Sequence, residues 1–165
     1  MDATFWNNRY SAASDYVFGE APNAFLAEMA LRIPAGPVLC LAEGEGRNAV
    51  HLAALGHSVT AVDQSEAGLA KARRLAASRG VRVDTVVADL EAFGIAPGAW
   101  AGIVSIFAHL PAPLRQRVHA EAVRGLQPGG VFILEAYTPA QLALGTGGPK
   151  SPECLMTLAA LREEL

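Results

Sequence analysis

Two glycines, Gly44 and Gly46, stand between an apolar stretch that ends at Leu41 and a helical pattern that opens at Asn48. An acid, Asp63, closes the next apolar stretch. Glycine admits tight turns closed to other residues and lets a ligand approach the main chain. The start of the helix offers unpaired N–H groups and a partial positive charge, which favour a carboxylate or phosphate. A carboxylate at the end of a second strand can accept hydrogen bonds from two ribose hydroxyls. Glycine turn and acid together read as an adenosine site; the plainer reading is a loop with a helix-capping aspartate. "GEGRNA" also satisfies G-x-G-x-x-A, so a nicotinamide dinucleotide competes on this stretch alone.

A second set of reactive residues lies further along. His109 follows an apolar run, in "GIVSIFAHLP". Its ordinary pKa suits it to deprotonate a thiol or to hydrogen-bond an oxyanion. The plainer reading is a loop histidine at the Pro111 turn. Glu135 and Tyr137 follow another strand and are candidates for an acceptor pocket. Arg9, Arg47 and Arg115 are possible anchors for an anion, with Arg47 best placed beside Gly46. His51 reads as a helix residue, His57 and His119 as surface positions, and "AKARR" as a helix face in water. Cys40, mid-strand, reads as a small buried hydrophobe. No histidine or acid cluster has metal-ligand spacing, so no metal is expected.

These residues must be positioned by regular elements. The 165 residues, about half of them apolar, fit one globular domain. A net charge of −3 without any Lys/Arg run argues against a nucleic-acid surface. No apolar run reaches the roughly 18 residues of a membrane span. Two distant cysteines suggest a reducing cytoplasm. Residues 1–22 read as irregular and aromatic. Asn23 caps a helix, Val38–Leu41 forms a strand, and Asn48–Leu55 a helix closed by Gly56. Ser58–Val62 forms a second strand, Ser65 caps a third helix, and Val81–Val87, Ala101–Ile106 and Val131–Leu134 complete five strands. A helix covers about 114–125, and Ser151-Pro152 opens a last one carrying Leu155, Leu158, Leu161 and Leu165. Regular alternation of strand and helix predicts a doubly wound, mostly parallel α/β sheet, with the ligand beyond the carboxyl ends of the strands.

Several of these stretches fall in the order of one family's motifs. From Val38 to Glu135 the chain resembles class I S-adenosylmethionine-dependent methyltransferases. "VLCLAEGEGRN" is similar to the first motif, with Gly44 and Gly46 at its last two glycines; "VTAVDQS" to the second; and "VVADL" to the third. "LQPGGVFILE" is the most specific piece, and dehydrogenases lack it. The run from Gly44 to Ser65 further resembles a branch typified by tellurite-resistance and thiol methyltransferases. "WNNRYS" and "FGEAPN" are similar to that branch's aromatic lid.

The resemblance implies S-adenosylmethionine as cofactor and a small-molecule acceptor such as tellurite, selenite or a thiol. It places the cofactor against Glu43, Gly44, Gly46, Arg47 and Asn48, its ribose on Asp63 beside Gln64. The adenine falls near Asp89 and Leu90. Phe107 and His109 face the transferred methyl, His109 as the catalytic base. Trp6, Tyr10, Tyr16, Glu135 and Tyr137 are expected around the acceptor. The Rossmann-like core spans 37–135 within a single domain, 1–165, with residues 1–22 as lid. The family's last two strands have no counterpart, which suggests a fragment. Two residues depart from the pattern. Cys40 replaces an acid that helps hold the methionine amine, a contact for which Glu43, or else Glu45, is expected to substitute. Ala42 replaces the first glycine, and alanine tolerates most conformations short of a positive φ. These departures and the missing strands motivate one alternative, a non-catalytic cofactor-binding module, while the G-x-G-x-x-A match keeps an NAD-dependent enzyme as another.

Overall fold

The computed structural model describes residues 2–165. Helices α1 (Ala3–Ala12) and α2 (Ala24–Met29) precede a chain of alternating strands and helices. These are β1 (Pro37–Leu41), α3 (Arg47–Ala54), β2 (Ser58–Asp63), α4 (Glu66–Ser78), β3 (Val83–Val87), β4 (Trp100–Ile106), α5 (Ala112–Gly125) and β5 (Leu126–Glu135). Short helices α6 (Gln141–Leu144) and α7 (Leu158–Glu164) close the chain. The sheet is parallel throughout, in the order β3-β2-β1-β4-β5. The predicted doubly wound α/β architecture is therefore the observed one.

Alternation along β1 shows why both faces need helices. Val38 and Cys40 pack into one core with Leu26, Ala49, Leu52, Leu69 and Leu75. Leu39 and Leu41 point the other way, toward Leu90, Ile95, Val118 and Ala122. A strand whose successive side chains are all apolar must be covered twice. Helices α2, α3 and α4 cover one face and α5 the other. The strand order reverses between β1 and β4, so the crevice at the switch point opens above their carboxyl ends.

Four local expectations are corrected. Residues 3–12 form a helix, because the Asp2 carboxylate accepts from Phe5 N at 2.9 Å and caps its first turn. At the other end Ser151-Pro152 produces only a 3-10 turn, Pro152–Cys154, and the helix begins after Thr157, whose hydroxyl accepts from Ala160 N. His119 is not at the surface: it is 2% exposed, with Nδ1 2.8 Å from Glu164. Arg115, proposed as an anion anchor, grips the same Glu164 at 2.7 Å in a buried pair that docks α7 on α5. Within β5, the strand pairs from Leu126 onward, and a register shift absorbs the Pro128–Gly130 turn.

Candidate functional site

Strand β1 ends in a turn, residues 42–46, that is left-handed at three positions. Ala42 has φ +50°, Gly44 +63° and Gly46 +89°. The alanine that stands at the first glycine of the motif thus adopts the very conformation that disfavours a Cβ. Phe107, directly after β4, is the other non-glycine residue with positive φ among the described residues, at +56°. Both outliers flank the switch point, where such strain clusters at functional sites.

The two glycines make room for protein. A Cβ on Gly44 would lie 2.6 Å from the Tyr10 hydroxyl, and one on Gly46 would lie 2.5 Å from the Ala72 methyl. A Cβ on Gly68 of α4 would lie 2.9 Å from the Tyr10 ring. Tyr10 is consequently buried between the turn and α4, and α4 packs tightly against the start of α3.

The acids of this turn have defined partners. Glu43 accepts from Asn48 N at 3.0 Å and Ala49 N at 2.8 Å, supplying the cap that Gly46 cannot. Two of the α3 N–H groups that the sequence offered to a ligand are thereby taken. Burial pushes the Glu43 carboxyl up to about 7, against the lowering effect of those two bonds. Glu45 is 5% exposed and pairs with Lys71 at 2.8 Å. Lys71 is equally buried, which corrects the reading of "AKARR" as a wholly solvated face.

Asp63 closes β2 at 6% exposure. One of its oxygens accepts from Gly44 N and the other from Ser65 N, both at 2.8 Å. A carboxylate has about four acceptor sites, so each oxygen keeps one. Burial raises its pKa, and the two backbone bonds oppose that rise. The residue next to it, Gln64, is half-buried. Beyond β3, the exposed Asp89 accepts from Glu91 N and the buried Leu90 turns into the core.

Across the switch point the surroundings are aromatic. Phe107 stacks on Tyr137 at 4.7 Å, and Tyr137 on His109 at 5.4 Å with planes 3° apart. The Nε2 of His109 is buried without a hydrogen-bond partner, and burial lowers the pKa of the ring. Glu135 accepts from the Asn23 side chain at 2.7 Å, which fixes it to the start of α2. Asn48 accepts from Asn23 N, and Arg47 donates to Phe18 O at 3.1 Å. Trp6 stacks on Tyr10, and Arg9 lies over the rings of Trp6 and Phe18. Tyr16 donates to Lys71 O and packs against the core shared by α2, α3 and α4.

The sequence reading missed Asn7, whose side-chain oxygen accepts from Ser65 Oγ and Ala67 N at the start of α4. It also missed Asn23 as a bridge between Asn48 and Glu135. Lys71 had a readable signal. Gly68, Lys71, Ala72, Leu75 and Ala76 fall on one helical stripe, and all are buried. Among the described residues no group of acids, histidines and cysteines has metal-site geometry, and no helix is long and apolar enough to cross a membrane.

A parallel doubly wound sheet, with a glycine turn at its switch point and an acid closing the adjacent strand, defines a Rossmann-like nucleotide-binding domain. Residues 38–130 match the methyltransferase domain family, and the chain belongs to it. The chain is 30% identical over 117 residues to the 2-heptyl-1-hydroxyquinolin-4(1H)-one methyltransferase of Mycobacteroides abscessus, covering 69% of this chain and 52% of that protein. The chain thus spans about half the length of that curated relative. The CcbJ methyltransferase of Streptomyces caelestis superimposes with TM-score 0.69 at 26% identity, over 89% of this chain and 63% of that one. The glycopeptide N-methyltransferase MtfA, solved with S-adenosylmethionine, gives TM-score 0.56 at 29% identity, over 71% and 50%.

Proposed function

We propose that this domain binds S-adenosylmethionine across the 42–48 turn and transfers its methyl group to a small-molecule nucleophile. The observation that carries the reading is the acceptor count at Asp63. Two backbone N–H groups fix its carboxylate, and the two acceptor sites left over match the two hydroxyls of a ribose. Asp89 then lies by the adenine, with Gln64 beside the ribose; Leu90, whose side chain is in the core, offers that ring only its main chain. Glu43 already caps α3 through one oxygen, so the methionine amine falls to its other oxygen. When bound, S-adenosylmethionine would supply an electrophilic methyl on a cationic sulfur.

The residues of the chain supply alignment, exclusion of water and a place for the proton. Phe107 and Tyr137 present aromatic faces, which attract a sulfonium without pairing it tightly. His109, kept neutral by burial, offers its unpartnered nitrogen to the proton of the acceptor. Trp6 and Arg9 on α1 cover the mouth of the site.

Tellurite, selenite and thiols are the first acceptors to try, on the branch resemblance. A planar hydroxylated heterocycle is the second reading, favoured by the stacked Phe107, Tyr137 and His109 rings and by the quinolone-methylating relative. Radiolabelled methyl transfer to each class, with the domain in its full-length protein, decides between them. Tight cofactor binding with no transfer to any acceptor would favour a non-catalytic module. Calorimetric preference for NAD would remove the methyltransferase reading altogether.

A further inference from the structure

Lys71 lies on α4, yet its ammonium is buried and fully bonded. Its three N–H groups reach Ala13 O at 2.9 Å, Asp15 O at 2.7 Å and Glu45 Oε1 at 2.8 Å. The second oxygen of Glu45 accepts from Val17 N at 2.8 Å. Tyr16 completes the set, with its hydroxyl on Lys71 O and its ring 5.8 Å from the ammonium. One ion pair therefore holds residues 13–17, the first part of the connection between α1 and α2, at several points.

Its other end is the glycine turn. Glu45 stands between Gly44 and Gly46, the two left-handed residues whose conformation shapes the site. Helix α1 meets the turn at a second place, through Tyr10 on Gly44, and meets α4 at a third, through Asn7 on Ser65 and Ala67. The pair thus ties the turn to the segment that leads out of α1. A buried ion pair gives little net stability over an apolar pair of similar size, so its value lies in fixing one arrangement.

We propose that Glu45 and Lys71 are a positioning pair that couples the docking of α1 to cofactor binding. The proposal rests on the reading that S-adenosylmethionine lies across this turn. Docked α1 preforms the turn, and a ligand that orders the turn holds α1 in place. By linkage the two effects are equal in size.

Hydrogen exchange on the full chain, with and without S-adenosylmethionine, reads α1 directly, and calorimetry reads affinity. In the wild type, saturating cofactor should slow exchange over residues 3–17. Lys71→Met should speed exchange there about tenfold, leave the amides of β1, β2 and β4 protected, and weaken cofactor binding about tenfold. Glu45→Gln should fall between, since an amide oxygen still accepts from Val17 N. Asn7→Ala removes a tether without leaving a buried charge, so it tests the same coupling should Lys71→Met not fold. It should loosen residues 3–17 and weaken binding a few fold.

Cofactor that leaves residues 3–17 unchanged in the wild type overturns the coupling. So does a variant that loosens α1 while keeping wild-type affinity. If the wild type binds no S-adenosylmethionine, or Asp63→Ala binds it as tightly, the cofactor reading has failed and the coupling falls with it. That failure is recognised because Lys71→Met still loosens α1 without ligand.

Discussion

The two sides of the switch point solve opposite problems. Above β1 and β2, the acids of the turn are held by the protein: Glu43 caps α3, Glu45 binds Lys71, and Asp63 takes two backbone N–H groups. Above β4 and β5 the surface is aromatic, and the Nε2 of His109 is buried with no partner. The first side is a rigid cradle with a small acceptor capacity remaining. The second leaves an imidazole nitrogen without a partner. On the proposed function, the contrast divides binding and chemistry between neighbouring strand ends, and each side should fail in its own way.

The largest expected effect is on the aromatic side. His109→Gln should lower kcat for methyl transfer by about 10²–10⁴-fold, the usual contribution of a general base, and leave cofactor affinity unchanged. Because burial lowers the pKa of His109, the acid limb of the rate profile should fall below the ordinary histidine value of 6.5. Lost affinity with unchanged kcat would erase the distinction between the two sides. On the cradle side, Asp63→Ala should weaken S-adenosylmethionine by roughly 1–3 kcal/mol, measured calorimetrically, through lost bonds to a charged group.

Glu43 sharpens the comparison through pH. Its folded pKa, about 7, lies above the ordinary 4.5, so the folded state binds the extra proton between those values. Its contribution is complete below pH 4.5 and is lost as the pH rises through 7. Unfolding curves should show stability falling across that window by on the order of 3 kcal/mol, and Glu43→Gln should flatten the slope. The smallest effect belongs to Ala42. Replacing it with glycine relieves a left-handed alanine but frees the unfolded chain, for a net gain of up to about 1 kcal/mol. A loss of stability would mean that the positive φ is not strained.

The sheet was legible because its strands are short apolar runs bounded by glycine, proline and capping residues. All five strands and their parallel arrangement follow from that pattern. The glycine turn was legible for the same reason, although the glycines make room for Tyr10 and Ala72 as well as for a turn. What escaped were polar groups whose partners are distant in sequence. Lys71, Arg115 and His119 look like solvent residues until their helical stripes are laid beside the apolar ones. Their partners Glu45 and Glu164 come from other elements, and no local spacing announces them. Helix α1 escaped because its two asparagines and scattered aromatics show no helical period. The Asp2 cap was its one local sign.

The most direct test is a crystal structure of the domain with S-adenosylmethionine or S-adenosylhomocysteine bound. The account expects the adenosine above Gly44 and Gly46, with both ribose hydroxyls within hydrogen-bonding distance of the Asp63 carboxylate. It also expects the sulfur to face Phe107 and His109. A ligand bound elsewhere, or a ribose held by other groups while Asp63 keeps only its backbone partners, would contradict it.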